Sequence, residues 1–286
     1  MHGGQRFQLC IDHSSFRHAI GDPQVVFHGI NKRDSLAMSN ALLEAYQWAG
    51  RGDQALSHYR IGGDYDDFRD RVDRSMGRAG FVVGHNLFGA LAPVPNRIWI
   101  TQFRHPLPRA LSCYQWLKNK HVAAHGSDAG YPTLTDFVRK TRGISHSQVV
   151  QFGCAFGRNS KARRTSAAAA DLFEIAVDEI ESDIYAIGIA EHFEESIFTF
   201  AALCGLSSVA PWIRDDRNKN RPLVDQITDS EREVIEEVYS YDYKLYKFAL
   251  DRFWRQTQAL KLEGNVSLAE YKAACLDQYK DRIVRA

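Results

Sequence analysis

Four short apolar runs, separated by stretches of helical periodicity, set what this chain can fold into. They are PQVVFHGI (23–30), FVVGH (81–85), RIWITQF (97–103) and IYAIGIA (184–190). Each is almost continuously apolar, where a half-exposed strand would alternate. Each therefore predicts a strand buried on both faces, as in a parallel sheet covered by helices. The intervening segments supply those helices. SLAMSNALLEAYQWA (35–49) sets Leu36, Leu42, Leu43 and Tyr46 at helical spacing. DYDDFRDRVDRSMG (64–77) reads as a polar helix with acids in its first turn and Gly77 as its stop. Pro106 suits the first position of a helix running to about Lys120, because its missing N–H would be unpaired there anyway. Further helices are expected at 165–182, in EHFEESIFTFAALCG (191–205), at 230–254 and in SLAEYKAACLDQYKDRIV (267–284). HYRIGG (58–63) reads as a short second strand, and TLTDFVRKT (133–141) holds a short helix. Residues 121–165 are otherwise less regular and rich in Gly, Ser, His and basic side chains.

Strands that alternate with helices predict an α/β fold with a central, mostly parallel sheet flanked by helices. No repeat and no long linker divides the chain. The expectation is a single domain over 1–286, with its core at about 23–254 and a C-terminal helical extension at 255–286.

The net charge of +1 supplies no general attraction to nucleic acid or anionic membrane. Any anion must be bound by a local cluster, and no nucleic-acid partner is expected. Cys10, Cys113, Cys154, Cys204 and Cys275 are odd in number, far apart and without C-x-x-C spacing. Reduced thiols in a cytoplasmic setting fit better than a disulfide framework or a zinc site. The N-terminal MHGGQRFQLCIDHSS has no long apolar stretch, which predicts no secretory signal. No run of about 18 apolar residues predicts a membrane span. His121 and His125 are at i, i+4, but no carboxylate stands between them as in H-E-x-x-H. A solvated helix face is the expectation there, and no metal is expected.

In a doubly wound sheet, ligands bind beyond the carboxyl ends of the strands. The first such end carries HGINKRDSL (28–36). Gly29 permits a tight turn, Lys32 projects from the loop, and Ser35 lies where a helix starts. Asn31 and Arg33 complete the loop. A helix N-terminus already offers unpaired N–H groups and partial positive charge, so a lysine and a hydroxyl beside it make an oxyanion site. The G-x-x-x-x-G-K-[ST] pattern is not met: no second Gly precedes Lys32 and no Ser or Thr follows it. A second basic loop follows RIWITQF. Arg104 ends the apolar run, and Arg109 and Ser112 share a helix face at i, i+3. A guanidinium fork and a hydroxyl suit the oxygens of one phosphate.

FRHPLPRALSCYQW (103–116) resembles the R-D-P-x-x-R-x-x-S-x-Y segment of sulfotransferases, which binds the 3′-phosphate of 3′-phosphoadenosine-5′-phosphosulfate (PAPS). GINKRDSL (29–36) is similar in place to that family's K-x-G-T-T type 5′-phosphosulfate loop. YAIGIAEHFEESIFTFAALCGL (185–206) resembles its V-G-x-x-E-x-F-x-x-x-L unit, and YSYDYKLYKFALDRF (239–253) its D-Y-x-L-Y closing helix. The likeness covers about residues 23–254. It departs from the pattern at Asp34 and Leu36, where the family has a small residue and a Thr, and at His105, where it has Asp. A His caps a helix less well than Asp.

The resemblance implies a P-loop-like sulfotransferase fold and sulfuryl transfer from PAPS to a hydroxyl, with the bisphosphate PAP as product and no metal required. The acceptor class it implies is a carbohydrate or glycolipid. On that likeness Lys32 stabilises the leaving group. His85 in VVGHNLFG, just past the third strand, is the general base; a histidine's ordinary pKa of about 6.5 suits that work. Glu191 matches the family's Glu and is expected to orient nearby loops. Arg217, Lys219 and Asn220, in RDDRNKNRP (214–222), are expected to close over the donor phosphates. Residues 121–165 are expected to shape the acceptor site, with Tyr114, Trp116 and Tyr131 as candidate stacking surfaces. Two alternatives stay open: an ATP-dependent small-molecule kinase, and a catalytically impaired PAP-binding protein, to which Asp34 and Leu36 point. The sequence does not choose among glycan, lipid and small-molecule acceptors, nor does it set the oligomeric state.

Overall fold

Gln24–Gly29 (β1) and Arg97–Phe103 (β4) are buried at every position, as strands covered on both faces must be. The computed structural model describes residues 24–30, 33–57, 65–75, 80–85, 87, 91, 97–140, 147–156, 169–206, 224–259, 267, 269–274 and 277. With Ala55–Ser57 (β2), Phe81–His85 (β3) and Ile184–Ile189 (β5), the two central strands form a five-stranded sheet in the order β2-β3-β1-β4-β5. Every pairing is parallel. The expected α/β class and parallel sheet are therefore present. The strand expected at 58–63 lies outside the described residues, and β2 precedes it.

The chain groups into two compact units. One comprises Met1–Phe103, Asp178–Ile213 and Ala249–Ala286; the other comprises Arg104–Val177 and Arg214–Phe248. The first holds the sheet. Arg33–Trp48 (α1) follows β1 and buries Met38, Ala41, Leu42, Ala45 and Tyr46, the i, i+3, i+4, i+7, i+8 stripe of an amphipathic helix. That stripe meets Val25, Phe27, Phe81, Val83, Ile98, Ile100 and Ala186 on one sheet face. Tyr46 stacks on Phe81 at 5.4 Å. The polar helix Tyr65–Arg74 (α2) precedes β3. β5 is an edge strand, and its outward backbone groups are answered by side chains. Gln256 accepts from Ile187 N–H at 2.8 Å and donates to Ile187 O at 3.1 Å. Ser196 Oγ accepts from Ile189 N–H at 2.8 Å. An edge closed in this way offers no ladder to another chain.

The second unit is helical. Pro106–His125 (α3) begins with the expected proline and runs one turn past the expected end, stopping at Gly126, whose φ of 78° is the left-handed conformation glycine adopts readily. Leu134–Arg139 (α4) is capped by Thr133, whose Oγ1 accepts from Asp136 N–H at 3.2 Å. Gln148–Phe156 (α5) comes next, and Ala169–Ser182 (α6) leads back to the sheet unit. The helix expected over 230–254 is two helices, Asp229–Val238 (α8) and Ser240–Ala259 (α9); Phe193–Leu203 (α7) lies before them, after β5. The break falls at Tyr239, which leaves helical geometry at φ −99°, ψ 22°. It buries its ring with Leu107, Leu111, Leu134, Phe137, Val234 and Ile235 in the unit's core. Thr228 and Glu231 form a capping box at the start of α8. None of the described helices is long and apolar enough to cross a membrane.

Candidate anion-binding site

Strand order marks the place where ligands usually bind on a parallel sheet. From β1 the chain crosses toward β3 and β2; from β4 it moves the opposite way, to β5. β1 and β4 are hydrogen-bonded neighbours, so the order reverses between them. Such a reversal opens a crevice beyond the carboxyl ends of the two strands. Thr101 Oγ1 donates to His28 O at 2.9 Å and ties the two strands near that end.

Gly29 is the last residue of β1, in extended backbone rather than in the turn itself. Its Cα partner across the ladder is His85, the last residue of β3. The sequence-predicted base thus ends the strand beside the one that leads to the first anion loop. Asn31 and Lys32 lie outside the described residues. Arg33 opens α1 and Ser35 follows within its first turn, so the helix starts where the sequence placed it. Leu36, which stands at the family's second Thr position, is 38% exposed.

The second basic segment belongs to the helical unit. Arg104 follows β4 and is 6% exposed. Its backbone N–H donates to Gln148 Oε1 at 2.9 Å, and its carbonyl accepts from Gln148 Nε2 at 2.7 Å. His105 is the N-cap of α3, with Nδ1 accepting from Leu107 N–H at a long 3.3 Å, in keeping with the weaker cap expected of histidine. Its ring meets Tyr243 and Tyr246 edge-on, at 5.3 Å and 5.2 Å. Arg109 and Ser112 are buried one turn apart on α3. The Arg109 guanidinium donates through Nη2 to Gln151 Oε1 at 2.9 Å.

Gln148 and Gln151 are one turn apart on α5, so a single helix steadies both arginines. α5 is anchored in turn from α9. Asp242, 2% exposed, takes hydrogen bonds from Ser147 Oγ at 2.5 Å, Gln148 N–H at 2.7 Å and Val149 N–H at 3.0 Å. The unpaired N–H groups of the first turn of α5 are thereby met by a carboxylate. Burial pushes the Asp242 carboxyl up, and its three donors and the Arg109 charge pull against that. Sequence reading missed α5, Gln148 and Gln151; it quoted Asp242 within the D-Y-x-L-Y segment but not its contact with α5. Ser147 before an apolar run was a cap signal that could have found the helix; nothing local links Ser147 to Asp242, 95 positions away.

The remaining expectations divide. Arg217, Lys219 and Asn220 lie outside the described residues. Glu191 sits exposed in the one-turn helix Ala190–His192 after β5. Tyr114 and Tyr131 pack on each other with ring centroids at 5.5 Å. Each donates its hydroxyl to a backbone carbonyl, Tyr114 to Pro132 O and Tyr131 to Tyr114 O. Lys120 Nζ stands 3.9 Å over the Trp116 ring. The His121 and His125 rings are stacked, 4.2 Å apart and 23° from parallel. A metal must lie in the plane of each imidazole that ligates it, at about 2.0–2.1 Å. Here His121 Nε2 lies 3.2 Å from Ala129 O and His125 Nδ1 lies 2.9 Å from His121 O. No group of three potential metal ligands occurs among the described residues. Cys113 and Cys204 are buried thiols.

No protein-family model matches this chain, and no curated protein matches it.

Proposed function

We propose that the protein is a PAPS-dependent sulfotransferase acting on a hydroxyl of a carbohydrate or glycolipid. One observation carries the reading. The segment that resembles a 5′-phosphosulfate loop follows β1, the Arg-Pro-Arg-Ser segment follows β4, and these two strands are neighbours where the strand order reverses. A nucleotide with a phosphate at each end calls for two such segments. Lys32 belongs to the first grip; Arg104, Arg109 and Ser112 belong to the second.

In the reaction, the acceptor oxygen attacks sulfur and the bond from sulfur to the 5′-phosphate oxygen breaks. PAP leaves with that electron pair. Lys32 offsets the charge that gathers on the bridging oxygen, and His85 takes the acceptor's proton. Positioning and electrostatics supply the rest.

Calorimetry with PAP and with ATP–Mg²⁺ tests the reading. PAP is expected to bind and ATP–Mg²⁺ to compete poorly. Arg104→Ala should lose about 10–100-fold in PAP affinity, since one charge-assisted contact to phosphate contributes roughly 1.5–3 kcal/mol. Mg²⁺-dependent turnover of ATP, or PAP binding that ignores Arg104→Ala, would replace this assignment.

A further inference from the structure

Gln102 is the residue on β4 whose burial needs an explanation. It is 4% exposed, and neither its Oε1 nor its Nε2 has a hydrogen-bond partner. A buried amide left in that state is destabilising. Nothing about strand packing requires a glutamine here, and the β4 residues that share its sheet face, Ile98 and Ile100, are apolar. Something outside the described chain is needed to make the position reasonable.

Its surroundings point to the kind of group. Across the ladder Gln102 pairs with Gly188 on β5. On its other side, one step beyond the His28–Thr101 pair, Gly29 stands level with it on β1. Glycines on both flanks leave Gln102 the only side chain among β1, β4 and β5 in this row near the carboxyl end of the sheet. The space over Gly188 is filled by Phe200 and Ser196, whose atoms lie 2.9–3.0 Å from where a Cβ would be. Toward β1, Gly29 itself brings no side chain.

The covering helix adds a second observation. α1 packs its apolar stripe on this same face. A helix that returns over a parallel strand starts at the strand's carboxyl end, so the N-terminus of α1, a 16-residue helix, faces the end of the sheet where Gln102 lies. The first-turn N–H groups of any helix lack an intrahelical partner and carry partial positive charge. The orphaned amide and this helix N-terminus thus belong to the same end of one sheet face. An anion with several oxygens answers the amide N–H and the helix N–H groups together. The amide oxygen is answered by a donor that accompanies such an anion, an ammonium or a hydroxyl.

We propose that Gln102 is a binding residue for the 5′-phosphosulfate end of the donor, its Nε2 donating to an oxygen of that group. The assignment rests on the sulfotransferase reading for the identity of the anion. It adds a neutral contact from the middle of the sheet to the two cationic grips that the sequence revealed.

Gln102→Leu, compared with wild type, is the test. Leucine fills a similar volume and removes both orphaned atoms. Thermal stability without ligand should be unchanged or higher. Affinity for PAP should fall about 3–10-fold, the weight of one neutral hydrogen bond. Affinity for adenosine 3′-monophosphate, which has nothing at the 5′ position, should not change. Equal PAP affinity in the two proteins overturns the role of Gln102 and leaves the sulfotransferase reading standing. So does a loss that is equal for both nucleotides, which would mark a general structural effect. Failure of wild type to bind PAP at all overturns both.

Discussion

Gln148 holds both backbone groups of Arg104, taking its N–H at 2.9 Å and giving to its carbonyl at 2.7 Å. The residue that leads out of β4 is thus paired as if by one more rung of a ladder, although the partner is a side chain. Replacing Gln148 by leucine keeps the volume and strands two buried backbone groups. At about 1–3 kcal/mol for each, stability should fall by roughly 2–6 kcal/mol. Chemical denaturation measures this, and a loss below about 1 kcal/mol would mean that water replaces the amide.

Asp242 gives a prediction in pH. Its carboxyl is raised in the fold, first by burial. The unfolded group titrates at about 3.9. A raised folded value means that the native state binds the proton more tightly. The stability this group contributes is complete below about pH 3.9 and is lost as pH rises through the folded value. Asparagine does not titrate. Wild type should therefore lose stability relative to Asp242→Asn as pH rises above about 3.9, with a slope of at most about 1.4 kcal/mol per pH unit. Denaturation midpoints for the pair across that window decide it; the opposite slope would show a carboxylate kept charged by Ser147, Gln148 and Val149.

Gly188→Ala tests the packing over β5. The new Cβ would sit 2.9 Å from Phe200 Cζ and 3.0 Å from Ser196 Cβ. Phe200 is fully buried and lies edge-on to Phe27 at 5.8 Å, so it has little room to retreat. Overpacking of this kind costs about 1–3 kcal/mol, readable as a lower melting temperature. Adding Phe200→Leu to the variant should recover part of the loss.

For the chemistry, His85→Ala should retain PAP binding while turnover drops about 10²–10⁴-fold. Its place at the end of β3, opposite Gly29, makes it a candidate base. Turnover equal to wild type, measured with any acceptor that supports transfer, would remove it from the mechanism.

Much of the sheet was legible because central parallel strands need apolar side chains on both faces. β1, β3, β4 and β5 each appear as a largely apolar run. β2 carries no such mark: it is three residues long and half-exposed for most of that length. The break between α8 and α9 was hidden because both halves present apolar faces and Tyr239 suits either state. Arg104, Arg109 and Ser112 were legible because they are close in sequence and share one helix start. Their supports were not. Gln148, Gln151 and Asp242 act through contacts across 42 to 95 positions, and single-sequence periodicity holds no trace of those. Gln102 was passed over for a related reason, since within RIWITQF it reads as one polar interruption of a strand.

The tie between Ser147 and Asp242 also sets a schedule. The two are 95 residues apart, which at roughly 5–20 residues per second separates their appearance at the ribosome by about 5–20 s. Throughout that interval the arginine-bearing segment is already made while the helix that steadies it lacks its carboxylate partner. The nascent chain therefore completes the support of Arg104 and Arg109 late, after most of its sheet has had time to assemble.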